Sequence, residues 1–137
     1  MSEEIRTLHS VFSKVDKLKQ HKRKIDLLKK EEDFAIKSIL QGCYLPRVNF
    51  KMPEGAPPYK VNEKEVEITE STVRQLSKVF DMSRHQWDRE RIYTQILESV
   101  SEDDAKILVA MKDKDMTTLY PTITKELVRE AYPNLGL

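Results

Sequence analysis

No helix can run through residues 50–60, Phe50-Lys51-Met52-Pro53-Glu54-Gly55-Ala56-Pro57-Pro58-Tyr59-Lys60. Three of the chain's six prolines and one of its three glycines fall in these positions. Proline has no N–H to donate, and its ring clashes with the preceding helical turn. The residue before each proline (Met52, Ala56 and Pro57) is pushed toward extended backbone. The stretch therefore predicts a stiff, partly polyproline-like strap, bent once at Gly55, with Tyr59 stacked on a core edge. Its structural residues are Pro53, Gly55, Pro57, Pro58 and Tyr59. The competing reading makes the strap a proline-rich ligand for another protein.

Charged, periodic segments lie on both sides of this strap. The chain has 137 residues, 39% hydrophobic and 34% charged, which suits a small helical protein with large solvated faces. Only three glycines argue against a turn-rich β sandwich. The expected fold is mostly α, with six or seven helices. A basic N-terminal helical arm covers residues 1–24, and one helical domain covers 25–137.

The arm reads as one long helix over 3–30, or two helices broken near Gln20. Ser2 with Glu3 and Glu4 is its expected N-cap and acidic first turn. Ile5, Leu8, Phe12 and Val15 form its apolar stripe, widened by Val11 and Leu18. That stripe is expected to pack on residues 25–44 or on a second copy of the chain. The next helix opens at Glu31-Glu32-Asp33, buries Phe34, Ile36, Ile39 and Leu40, and stops at Gly42. Residues 45–50 read as extended, and 61–68 as extended or linker. Thr69 or Ser71 caps a helix through Asp81 carrying Val73, Leu76, Val79 and Phe80. After a break at 83–87, a helix through Val100 carries Ile92, Tyr93, Ile96 and Leu97. Ser101 caps a helix that is apolar nearly all round, with Ala105, Ile107, Leu108 and Met111 inward, and so central. Thr122 or Thr124 caps a last helix with Leu127, Val128 and Ala131 inward.

The side chains declare no catalytic chemistry. His9, His21 and His85 are far apart, and none has a second His or a Cys at the spacing of a helical zinc motif. They read as surface histidines. Cys43, the lone cysteine, reads as a reduced packing residue. Asp103, Asp104, Asp113 and Asp115 lack the spacing of a calcium loop, and lysines alternate with the last two. Three scattered glycines cannot build a phosphate loop. No catalytic residue, metal or cofactor is expected, and the protein is expected not to be an enzyme. The acidic start lacks an apolar h-region, and no apolar run approaches the ~20 residues that span a bilayer. A cytoplasmic protein without a membrane partner is expected.

Two surfaces compete for a binding role. Between Lys14 and Lys30 eight bases face two acids, although the whole chain has a net charge of only +1. Lys19, Lys22, Arg23 and Lys24 are the candidate contacts to an RNA or DNA backbone. No aromatics interleave with them, so no single-strand stacking platform is visible. The other surface is Trp87, the only tryptophan, with Arg84, Arg89 and Arg91 around it. Trp and Arg dominate protein interfaces, whereas Lys is depleted there. The Trp87 cluster is therefore the expected partner-binding surface, and the lysines the alternative.

Pro53-Glu54-Gly55-Ala56-Pro57-Pro58-Tyr59, preceded by Ile39-Leu40-Gln41-Gly42, resembles a family of small proteins of T4-type tailed phages and their cyanobacterial relatives. Three later blocks agree: Ile96-Leu97-Glu98, Leu108-Val109-Ala110-Met111-Lys112-Asp113-Lys114, and Leu127-Val128-Arg129-Glu130-Ala131-Tyr132-Pro133. The similarity covers roughly residues 25–137. Some members are similar to the goF (ComC-alpha) type of mRNA metabolism modulator, linked to host transcription termination and message stability. The resemblance implies a small regulatory protein in the infected bacterial cell. It would bind host or phage machinery for transcription or RNA metabolism, and act by occupancy. The matched residues are prolines, a glycine and periodic apolars, and no catalytic residue is carried over. Self-association through the N-terminal helix is a further expectation.

Overall fold

In the computed structural model residues 5–67 and 69–137 are described, with every side chain among them except that of Phe80. Eight α-helices form: α1 (Leu8–Lys17), α2 (His21–Lys30), α3 (Phe34–Tyr44), α4 (Glu70–Phe80), α5 (Gln86–Ser99), α6 (Glu102–Asp113), α7 (Met116–Leu119) and α8 (Lys125–Ala131). A 3₁₀ turn at Pro133–Leu135 follows. No strand occurs among the described residues, so the mostly α expectation holds. The helix count exceeds the expected six or seven because the first segment splits at 18–20 and the short α7 forms.

Local chemistry sets the helix ends. The Ser2 cap lies outside the described residues, but residues 5–7 are not helical. Thr7 caps α1 instead: its side chain accepts from the Ser10 N–H at 3.0 Å, and the Thr7 N–H donates to Ser10 Oγ at 2.9 Å. The stripe accordingly shifts. Leu8, Val11, Phe12 and Val15 are buried, and Ile5 is 41% exposed. These four residues join the same core as the later helices, with α1 packed on α2 and α6, so α1 does not stand off as an arm. Asp33, Thr69 and Thr124 cap α3, α4 and α8 through their side chains. Ser101 is the N-cap of α6, but its side chain makes no capping bond; its hydroxyl accepts instead from the Val66 N–H at 2.7 Å and so ties the linker to α6.

The apolar α6 is central, as its sequence suggested. It packs on α1, α3, α5 and α7, and Ile107, Leu108 and Met111 are essentially without solvent. Gly42 is not a helix stop. It lies inside α3, where a Cβ would meet Met111 Sδ at 2.5 Å, so its missing side chain lets α3 and α6 approach. Phe34 was expected inward but is 46% exposed, because it opens α3 at the surface beneath the Arg74 guanidinium, 5.1 Å from the ring centroid. Asp104 of α6 is fully buried and accepts from the Leu8 and His9 N–H groups at 3.1 and 2.8 Å. It thereby satisfies the free end of α1 from the far side of the core. Burial pushes its carboxyl above the ordinary range, against the opposing pull of those two N–H bonds. Among the described residues no helix is long and apolar enough to cross a membrane.

Candidate docking groove between the strap and α5

The strap is tied to the body at five points. Phe50 enters the core at 1% exposure. The Pro53 carbonyl accepts from Lys112 Nζ at 2.7 Å, across 59 residues of sequence. The Gly55 N–H donates to Asp113 Oδ2 at 3.0 Å. Gly55 has φ +87°, a backbone conformation that side chains disfavour, which is why the bend falls on glycine. Tyr59 is partly buried against the core, and the Lys60 N–H donates to Glu98 at 2.6 Å. The expectation of a pinned strap with a packed Tyr59 therefore agrees with these contacts.

Held this way, the strap forms one wall of a groove of about 550 Å³. Met52, Pro53, Pro57 and Pro58 face Trp87, Glu90, Arg91, Tyr93 and Thr94 of α5, with Lys112 at the base. Positions 87, 90, 91 and 94 share one helical face. Trp87 stands at 64% exposure, so its indole is not half-buried as an ordinary surface tryptophan would be. The volume lies within the range of ligand pockets. The lining charges, two acids (Glu54 and Glu90) and two bases (Arg91 and Lys112), balance.

The arginines expected beside Trp87 separate into two kinds. Arg84 and Arg91 are at the surface and both pair with Asp88, at 3.0 and 2.6 Å. The hydrogen bond from Arg91, then that from Arg84, holds the Asp88 carboxyl below its usual range. Arg89 is a correction: it is 4% exposed and does not face a partner. Its Nε donates to the Val79 carbonyl at 2.7 Å and its NH2 group to the Phe50 carbonyl. It satisfies a carbonyl at the end of α4 and fixes the root of the strap.

The lysine surface divides in the same way. Lys24, also expected at the surface, is buried at 7% exposure. Its Nζ donates to the Val15 and Asp16 carbonyls at 3.1 and 3.0 Å and to Thr122 Oγ1 at 3.0 Å. A lysine at this position reaches the unsatisfied end of α1 and closes the turn into α2. Lys19, Lys22 and Arg23 remain exposed.

The remaining chemistry is quiet. Cys43 is buried, and burial pushes its thiol up to about 12, far from reactivity. His9 Nδ1 meets the Tyr120 hydroxyl at 2.6 Å, and His21 pairs with Glu130 at 2.8 Å. Among the described residues no group of three or more His, Cys, Asp or Glu is placed to hold a metal ion.

The model of DUF6433, a family of unknown function, matches residues 11–118. The chain belongs to DUF6433. The matched range includes both walls of the groove and its base at Lys112, and ends before α8. No curated protein and no solved structure matches the chain.

The sequence did not identify Met52, Glu90, Thr94 and Lys112 as lining residues. The spacing of Trp87, Glu90, Arg91 and Thr94 as one helical stripe could have flagged the α5 wall. Nothing local indicates that Lys112 reaches a carbonyl 59 residues away.

Proposed function

We propose that this protein is a non-enzymatic regulator that works by occupancy, and that an extended segment of a partner protein docks in the strap–α5 groove. The observation that carries this reading is Trp87, two-thirds exposed at the lip of a groove whose other wall is a pinned proline strap. An exposed indole beside prolines and a methionine offers large apolar contact area at little cost in side-chain entropy. Balanced lining charges select no strongly charged ligand, which favours a polypeptide over a polyphosphate. The strap and the later blocks resemble a family of small T4-type phage proteins, some of them similar to the goF type, and that resemblance supports a partner from host or phage transcription or mRNA handling, in the cytoplasm of an infected bacterium.

The test compares wild type with Trp87→Ala as bait in infected-cell extracts treated with nuclease. The proposal expects a discrete protein partner held by wild type and lost with Trp87→Ala, while both baits melt at the same temperature. Equal capture by the two baits would refute the groove as the docking surface.

A further inference from the structure

The surface of α1, α2 and the link between them carries Lys14, Lys17, Lys19, Lys22, Arg23, Lys29 and Lys30, all exposed, with Asp26 as the exposed acid among them. No described acid lies within ion-pair distance of Lys17, Lys19, Lys22, Arg23, Lys29 or Lys30. Apart from Asp26, the nearby acids are already engaged. Glu31 and Asp33 hold Arg6, Glu32 holds Lys37, and Glu130 holds His21. Asp16 accepts from the Thr122 hydroxyl at 2.6 Å. A plainly solvated face would be expected to draw on some of the 23 acids of a nearly neutral chain. Instead, like charges are gathered as sequence neighbours, Lys22 with Arg23 and Lys29 with Lys30, well inside a Debye length of about 8 Å, where they repel one another. Such an arrangement is stabilised by a polyanion.

We infer that this α1–α2 face docks on the phosphate backbone of duplex DNA. Lys22 and Lys29 stand two turns apart on α2, roughly 10 Å along its axis. Over that span B-DNA presents about six phosphate charges, at one per 1.7 Å. Three features choose the occupant. The face has no Phe, Tyr or Trp on which unpaired bases could stack, and its one ring, His21, is held by Glu130, which disfavours single strands. Between Lys14 and Lys30 a single hydroxyl or amide side chain, Gln20, is present, against the run of contacts to 2′-hydroxyls through which duplex RNA is read. The face also lacks the exposed apolar residues that would enter a lipid surface. Lysines without base-reading partners give a sequence-independent contact. This surface is separate from the groove, and the inference does not depend on the groove reading.

The experiment measures fluorescence anisotropy of a labelled two-turn mixed-sequence DNA duplex against salt concentration. Wild type is expected to bind at low salt and to weaken steeply as salt rises. Lys19→Ala/Lys22→Ala/Arg23→Ala should weaken binding at least about tenfold at fixed low salt and flatten the log–log salt slope by about 3. Lys29→Ala/Lys30→Ala is the second variant, at the other end of α2, and should flatten the slope by about 2. Trp87→Ala should bind DNA as wild type does. The inference is overturned by absence of DNA binding at low salt or by wild-type affinity in both lysine variants. Tighter binding to duplex RNA, to a single strand or to phosphatidylserine vesicles would also overturn it.

Discussion

The Trp87 cluster and the lysine face are built by the same device and end in opposite electrostatic states. In each, one cation is withdrawn from the surface to satisfy carbonyls at the end of the preceding helix. Arg89 does so at Val79 in α4, and Lys24 at Val15 and Asp16 in α1. The cations left outside differ. Arg84 and Arg91 are paired with acids, both with Asp88 and Arg84 also with Asp81, so the exposed feature is an indole beside a groove. Around α1 and α2, by contrast, Lys17, Lys19, Lys22, Arg23, Lys29 and Lys30 have no described acid within ion-pair distance. A run of basic residues in sequence therefore mixes one structural member with several free ones, and only the fold separates them.

Substitution should separate them in order of burial. Arg89→Ala strands two carbonyls, those of Val79 and Phe50, and opens the root of the strap; we expect a loss of about 3 kcal/mol. A urea midpoint shifted by less than a third of that would mean Arg89 is not the strap's anchor. Lys24→Ala removes three hydrogen bonds at the end of α1 and should cost about 2 kcal/mol by the same measurement. Pro57→Ala with Pro58→Ala frees the unfolded chain and loosens one groove wall, for about 1 kcal/mol, read as a lower melting temperature. Smallest of all, Arg84→Ala and Lys22→Ala should each fall within about 0.5 kcal/mol of wild type, since one breaks only the surface ion pairs to Asp81 and Asp88 and the other none. If Lys22→Ala were as damaging as Lys24→Ala, the division between structural and free cations would fail.

Most of the architecture was legible because apolar periodicity and turn chemistry act locally. The stripes of α4, α5, α6 and α8, the caps at Thr69 and Thr124, and the proline strap could all be read from neighbouring residues. Most of the errors came from long-range contacts, and one came from a local cap that was overlooked. Ile5 reads as part of the α1 stripe, but the Thr7–Ser10 capping box and the distant Asp104 start the helix later. Gly42 reads as a stop because glycine favours helix ends, yet its purpose is to admit Met111. Arg89 and Lys24 read as surface cations because nothing in their own helices marks a carbonyl waiting on another element. The groove itself was half legible: its two walls were each singled out, but Lys112 and Asp113, which hold the strap in place opposite α5, come from α6.

The central claim is that the groove beside Trp87 is the surface a partner occupies. Trp87 is the only tryptophan, so its fluorescence reports on that groove alone. The captured partner would be titrated into wild-type protein, with emission maximum and acrylamide quenching of Trp87 followed by excitation at the indole band, using a partner fragment free of tryptophan. Occupancy of the groove predicts a saturable blue shift and a loss of quenching as the indole leaves water. Saturating binding with emission and quenching both unchanged would place the partner elsewhere and contradict the claim.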